Sequence, residues 1–241
     1  MNHSPSLDWT GLRCVIFDVD GTLYAQDRLR KRMLRALLRY YSIRPWKLAE
    51  LQILRRFRIE REKQSAYAGA DLEADQYQWV AQNRRYPAEQ VREVVQRWMF
   101  QHPNQFLLPC RYPGVAEFFA ALRARGITIG IYSDYPAQEK LAALGLAADI
   151  IISSTDKTVN RLKPNPQGLL HITRQLGLLP QQCLFIGDRP ELDGACAEAA
   201  AMPYLIVDKQ PFPAFTFYDK LTHHLSTTPT PARYESDIHS A

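Results

Sequence analysis

At 241 residues with 46% hydrophobic content, the chain can bury one sizeable core plus a smaller accessory unit. Its 30 Lys and Arg against 25 Asp and Glu leave a mild basic excess, and no apolar run approaches the roughly 20 residues of a bilayer-spanning helix, which argues against a membrane partner. Met1 to Thr10 carries neither the basic flank nor the apolar stretch of a signal peptide, and Cys14, Cys110, Cys183 and Cys196 show no C-x-x-C spacing; together these features predict a soluble, cytoplasmic protein with buried free thiols.

Cys14 to Phe17 are four apolar residues in a row, as expected of a strand buried on both faces of a parallel sheet. They run into Asp18-Val19-Asp20-Gly21-Thr22-Leu23-Tyr24. Residues two apart on an extended strand project to the same side. Asp18 and Asp20 would therefore hold two negative charges together, which a cation or a proton must compensate. Asp and Gly are also common turn residues. The distinguishing feature is D-x-D-G-T-L placed directly after an apolar strand.

The chain then changes character. Leu29, Met33, Leu34, Leu37, Leu38 and Tyr41 recur at three-to-four spacing and predict an amphipathic helix. Pro45 suits the first turn of a second helix running through Leu48, Leu51, Leu54 and Ile59. Two further helices are expected, over Leu72–Asn83 and, entered through Pro87, over Ala88–Phe100. Residues 25–102 thus read as an all-helical insertion, following a first core segment (1–24) and preceding a second (103–226). The insertion holds 17 basic against 9 acidic residues, a balance of +8, while the remainder holds 13 against 16. Charged helix faces are usually just solvated, so a nucleic-acid partner is not the expectation.

From Pro103 the pattern alternates. A helix is expected over Val115–Arg125, a strand over Ile127–Tyr132, a helix over Pro136–Leu144 closed by Gly145, and a strand over Asp149–Ser153. A helix over Pro166–Leu176, a strand over Cys183–Ile186, a helix over Leu192–Ala201 and a strand over Tyr204–Val207 follow. Short apolar strands alternating with helices imply an α/β fold with a doubly wound parallel sheet. The segment 227–241 shows no periodic apolar face and is expected to be a disordered tail.

Ligands of such sheets bind beyond the carboxyl ends of the strands. The first strand delivers Asp18 and Asp20 there, and the second Ser133 and Asp134. Lys163 sits in the loop after the third strand; the fourth delivers Asp188, with Asp193 five residues on. Carboxylates suit a hard cation such as Mg²⁺, which recruits phosphate, while a hydroxyl and a lysine neutralise and orient phosphoryl oxygens. The six histidines fall outside any metal-ligand spacing, and no Gly-rich nucleotide loop is present.

These pieces, in this order, resemble the haloacid dehalogenase (HAD) superfamily in its phosphatase branch, over roughly residues 13–24 and 103–208. The insertion after the first motif is similar to the helical C1 cap of phosphoglycolate phosphatase-like members. The resemblance implies a HAD-like Rossmannoid core and Mg²⁺-dependent hydrolysis of a small phosphorylated metabolite. It implies that Asp18 attacks phosphorus and becomes an aspartyl phosphate. Asp20 is implied as general acid and then base, its backbone carbonyl joining the metal shell; Asp188 completes the metal ligands and Asp193 supports the metal or its waters. Ser133 and Lys163 match the phosphate-binding hydroxyl and lysine. Two positions depart from the pattern: Asp134 stands where many relatives have a neutral residue, and Lys163 is followed by Pro164-Asn165-Pro166.

The residue types make chemical sense in these roles. A carboxylate attacks a phosphate dianion poorly unless a cation pairs both, and the leaving oxygen needs a proton. The charge of Asp18 is expected to raise the proton affinity of Asp20. Displacement of halide needs no general acid, so the second Asp weighs against a dehalogenase. A phosphomutase of the same fold and a non-catalytic HAD-fold binding or regulatory protein remain as alternatives. The substrate and the oligomeric state are not legible.

Overall fold

The computed structural model describes residues 9–82 and 86–228. Strand β1 (Cys14–Phe17) is fully buried and lies at the centre of a five-stranded sheet. Val15 and Phe17 contribute to one hydrophobic cluster and Cys14 and Ile16 to another, the period-two alternation of a strand covered on both faces. The other strands are β2 (Thr128–Ser133), β3 (Ile150–Ser153), β4 (Cys183–Gly187) and β5 (Tyr204–Ile206). The order is β3-β2-β1-β4-β5 and every pairing is parallel. Phe17 is level with Ile131 of β2 and Ile186 of β4. The chain winds outward from β1 through β2 to β3, then crosses back to begin β4 on the other side. The strand order therefore switches beside β1, where open α/β sheets leave a crevice at their carboxyl ends.

The expected strands are all present, with ends shifted by one residue where they differ. Five helices flank the sheet: α5 (Val115–Ala124), α6 (Gln138–Leu144), α7 (Gln167–Leu176), α8 (Ala195–Ala199) and α9 (Phe217–Thr227). The expected helix over Leu192–Ala201 divides into a π-helical turn over Pro190–Gly194 and the short α8. Helix α9, which packs on α5, had no counterpart in the sequence reading. Its Tyr218, Leu221 and Leu225 are buried. Beyond residue 228 the expected tail lies outside the described residues, as do residues 1–8.

Between β1 and α5 stand the inserted helices α1 (Gln26–Ser42), α2 (Ala49–Lys63), α3 (Leu72–Ala81) and α4 (Ala88–Val95). A 3-10 turn at Pro45–Lys47 precedes α2, and α4 runs on as a π-helical turn through Gln101. Asn83, the expected end of the third helix, lies outside the described residues. The insertion has its own core, in which Phe57 stacks on Tyr77 at 5.8 Å between ring centroids. Buried Glu50 accepts hydrogen bonds there from Tyr41 (2.9 Å) and Trp98 (3.4 Å). The two connections to the sheet unit run side by side: the Ala25 amide donates to the Cys110 carbonyl (2.9 Å) and the Tyr112 amide to that of Leu23 (3.1 Å).

Candidate active site

Asp18 directly follows β1, its amide bonded to the Ile186 carbonyl of β4 at 2.9 Å. Its carboxylate is buried, accepting from Thr22 Oγ1 at 3.0 Å and pairing with Lys163 Nζ at 2.7 Å. The same ammonium pairs with Asp193 at 2.8 Å. The loop carrying Thr22 is braced from outside the motif, because the Tyr218 hydroxyl of α9 donates to the Thr22 carbonyl at 2.7 Å.

The loop after β4 folds around Asp193, whose Oδ2 accepts from the Asp188 and Arg189 amides, each at 3.0 Å. Glycines make this closeness possible. A Cβ at Gly187 would lie 2.4 Å from the Cβ of Asp193, and one at Gly21 would lie 2.4 Å from Asp188 Oδ2. Gly21 also has φ of +97°, which side chains rarely adopt.

Asp18, Asp188 and Asp193 each bring a carboxylate oxygen to a place where all lie within 4.8 Å of one another, and all three are buried. Buried Asp188 Oδ1 has no hydrogen-bond partner among the described residues. Burial, opposed by Lys163 and reinforced by Asp193, pushes the Asp18 carboxyl up to about 7. Burial and Asp193 push Asp188 up to about 6. Burial acts the same way on Asp193, but Lys163 outweighs it and holds that group below the usual carboxylate range. An all-oxygen donor set with one orphaned buried acceptor fits a hard divalent cation.

Asp20 is placed differently. Its carboxylate is chelated by Lys140 Nζ of α6, at 2.6 and 2.7 Å, and accepts from the Tyr24 hydroxyl. Burial raises its proton affinity, but Lys140 and Tyr24 overcome this and hold it below the usual range. The expectation that the Asp18 charge would raise Asp20 is thus corrected: the buried lysine beside it dominates.

Ser133 ends β2, buried, and its Oγ accepts from the Tyr135 amide at 3.3 Å. Asp134 does not stand as an unpaired carboxylate: it pairs with Arg189 at 3.0 Å and accepts from Ser154 Oγ at 3.2 Å.

A protein-family model described as haloacid dehalogenase-like hydrolase matches residues 12–201. The chain belongs to the haloacid dehalogenase-like hydrolases. Phosphoglycolate phosphatase of Rhodospirillum rubrum is 36% identical to it over 99 residues, covering 40% of this chain and 41% of that protein. The chain thus aligns with about two-fifths of the length of the curated relatives it matches. Among solved structures, a 2-haloacid dehalogenase from Pseudomonas syringae pv. tomato superposes with a TM-score of 0.59 at 20% identity, covering 86% of this chain and 92% of that one. A predicted phosphoglycolate phosphatase from Haemophilus somnus does so with 0.57 at 20% identity, covering 90% and 99%. At such identities the likeness is one of fold.

Several residues at this sheet edge escaped the sequence reading. Lys140 is read there only as part of a helix, yet it is buried and 120 positions from its partner Asp20. Arg61 of α2 is also buried: it donates to the Gln76 side chain and to the Asp134 carbonyl. Its guanidinium lies 4.4 Å from the Tyr135 ring centroid, with Lys140 Nζ at 5.6 Å from the same centroid. The inserted helices therefore reach the loop after β2. Lysine at a helical position with apolar neighbours was the one available signal for Lys140; Arg61 had none among so many arginines.

Proposed function

We propose that the chain is a Mg²⁺-dependent phosphomonoester hydrolase that works through an aspartyl phosphate on Asp18. The observation that carries this reading is the division of charge at the sheet edge. Asp18, Asp188 and Asp193 share one place with Lys163 paired across it, while Asp20 is held apart by Lys140. Asp18 and Asp188, with the Asp20 carbonyl, would hold the cation, and Asp193 would support it. When bound, the cation neutralises the carboxylates and the phosphoryl oxygens so that like charges can meet.

A carboxylate oxygen of Asp18 attacks phosphorus, and the bond from phosphorus to the ester oxygen breaks. Asp20 gives that oxygen its proton. Asp20 then takes a proton from water, whose oxygen attacks the phosphorus of the acyl phosphate; inorganic phosphate leaves and the Asp18 carboxylate returns. Lys163 and the Ser133 hydroxyl orient the phosphoryl oxygens. For Asp20 to carry a proton, Lys140 must release it, and the substrate phosphate is the anion that competes for that ammonium. A second carboxylate with this task has no use in halide displacement, which supports a phosphatase over a dehalogenase.

The substrate is a small phosphorylated metabolite, and the names of the curated relatives make phosphoglycolate the first compound to assay. Residues 25–102 act as a cap on the core formed by 1–24 and 103–226. Their two adjacent connections support hinging, so that Arg61 docks on the Asp134 loop in the closed state.

The test is acid-quenched turnover of a ³²P-labelled phosphomonoester with Mg²⁺. Label should be trapped on the peptide containing Asp18 and then appear as inorganic phosphate, and EDTA should stop both. Label passing into a second phosphorylated product would mean a mutase. No label on protein at any time would rule out the covalent route.

A further inference from the structure

We infer that the outer face of α1, α2 and their connection is a docking surface for an anionic lipid bilayer, touched without being crossed. Nine large hydrophobic side chains are exposed among the described residues, and seven of them fall between residues 34 and 59. A concentration of this kind marks an interaction surface, whereas scattered exposed apolar residues do not. Leu34 and Leu38 are one turn apart on α1; Ile43 and Trp46, 65% and 74% exposed, project from the connection, and Leu48 and Leu51 continue into α2. No helix of the described residues is long and apolar enough to cross a membrane, so the contact is with the bilayer surface.

Charge identifies the partner. Residues 28–59 hold eleven Lys and Arg and a single acidic residue, Glu50, which is buried and turned inward to Tyr41 and Trp98. On α1, Lys31, Arg35 and Arg39 form a column at four-residue spacing beside the column of Arg30, Leu34 and Leu38. Lys31, Arg35, Arg39, Arg55 and Arg58 make no ion pair among the described residues. On α2 a cavity of about 330 Å³ is lined by Gln52, Arg55, Arg56 and Ile59, two cations among aliphatic and amide groups.

Three occupants compete for such a face. A second copy in a symmetric pair would set cations against cations. A single-stranded nucleic acid stacks on aromatic rings, whereas all but one of the exposed apolar residues here are aliphatic. An anionic bilayer satisfies both halves: aliphatic side chains and Trp46 enter the headgroup boundary while the arginines meet lipid phosphates. This surface is independent of the catalytic reading, since none of its residues belongs to the sheet edge.

The experiment is co-sedimentation of the full chain with phosphatidylcholine vesicles, with and without phosphatidylglycerol. The protein should bind the phosphatidylglycerol vesicles alone, and less so as salt rises. Arg35→Gln with Arg39→Gln should weaken binding on the order of 30-fold, and Leu38→Glu with Trp46→Glu should abolish it. Both pairs are exposed, so circular dichroism and melting temperature should stay those of the parent. Equal sedimentation with both vesicle types, or with neither, overturns the inference. So does a dimer in light scattering that Leu38→Glu with Trp46→Glu converts to monomer, which would assign the face to a second copy.

Discussion

The sheet edge and the inserted helices treat charge in opposite ways. At the edge, ions of both signs sit in contact: buried Lys163 between Asp18 and Asp193, buried Lys140 on half-buried Asp20, and half-exposed Arg189 on Asp134. In the insertion the charges are mostly exposed or half-exposed with a positive excess, and the buried cation Arg61 is satisfied by neutral acceptors. Hydrogen-bonded pairing fixes the ends of parallel strands relative to one another, so opposite charges can be buried against one another there. Desolvation makes any mismatch costly. The inserted helices, joined to the sheet unit by two adjacent connections, meet it through a guanidinium, an aromatic ring and a carbonyl.

That contrast breaks first, and most severely, at Asp18. Asp18→Asn should lower turnover by ~10⁴-fold or more, as loss of a nucleophile does, with circular dichroism unchanged because the amide is nearly isosteric. A variant keeping a few per cent of the parental rate would remove the covalent step. Next comes the pair on the other side of the edge. Asp20→Asn should cost ~10²- to 10⁴-fold in kcat, while Lys140→Met should cost ~10- to 100-fold, the usual effect of removing a group that orients a reacting one. Partial recovery in Lys140→Arg would sharpen the assignment; a Lys140→Met enzyme with parental kcat would refute it.

For the insertion the expected effect is smaller. Arg61→Ala deletes the bonds to Asp134 and Gln76 and should raise KM about 10-fold with kcat nearly kept, measured as steady-state kinetics on the best phosphorylated substrate. A fall in kcat equal to that in Asp20→Asn would place Arg61 in the chemistry and dissolve the contrast.

The mildest test concerns stability. Asp18 and Asp188 are raised above their ordinary value of 3.8, to about 7 and about 6. Groups shifted this way favour the folded state while protonated, fully below the unfolded value, and the contribution is lost as pH rises through the folded one. Asp20 and Asp193, shifted downward, lose theirs only in more acid solution. In EDTA the melting temperature should therefore fall between about pH 4 and pH 7, and added Mg²⁺ should restore it. A flat profile in EDTA would mean that burial and the neighbouring carboxylates do not raise the proton affinity of Asp18 and Asp188.

Local pattern accounts for much of this molecule. Apolar runs of four to six residues bounded by turn residues read as strands, and those of β1, β2 and β4 lead into residues that the sheet edge displays: Asp18, Ser133 and Asp188. The helical spacing of α1 likewise needed no tertiary information, though the structure leaves Leu34 and Leu38 of its apolar stripe exposed. What periodicity could not carry were contacts between residues far apart in sequence. Helix α9 followed a Pro- and Phe-rich stretch without clear spacing, and its brace on Thr22 spans 196 positions. Asp134 reads as a hazard to phosphate until Arg189 and Ser154 are seen to hold it. The proton affinity of Asp20 was set by Lys140, 120 positions away. Sequence by itself determined which strand-end groups arrive at the edge, because strand burial and strand direction are local properties; the helix-borne Lys140 and Arg61 joined them only in the fold. Tertiary structure alone decided which of those groups are charged and which are paired, because desolvation and Coulomb energy depend on distances that only the folded chain defines.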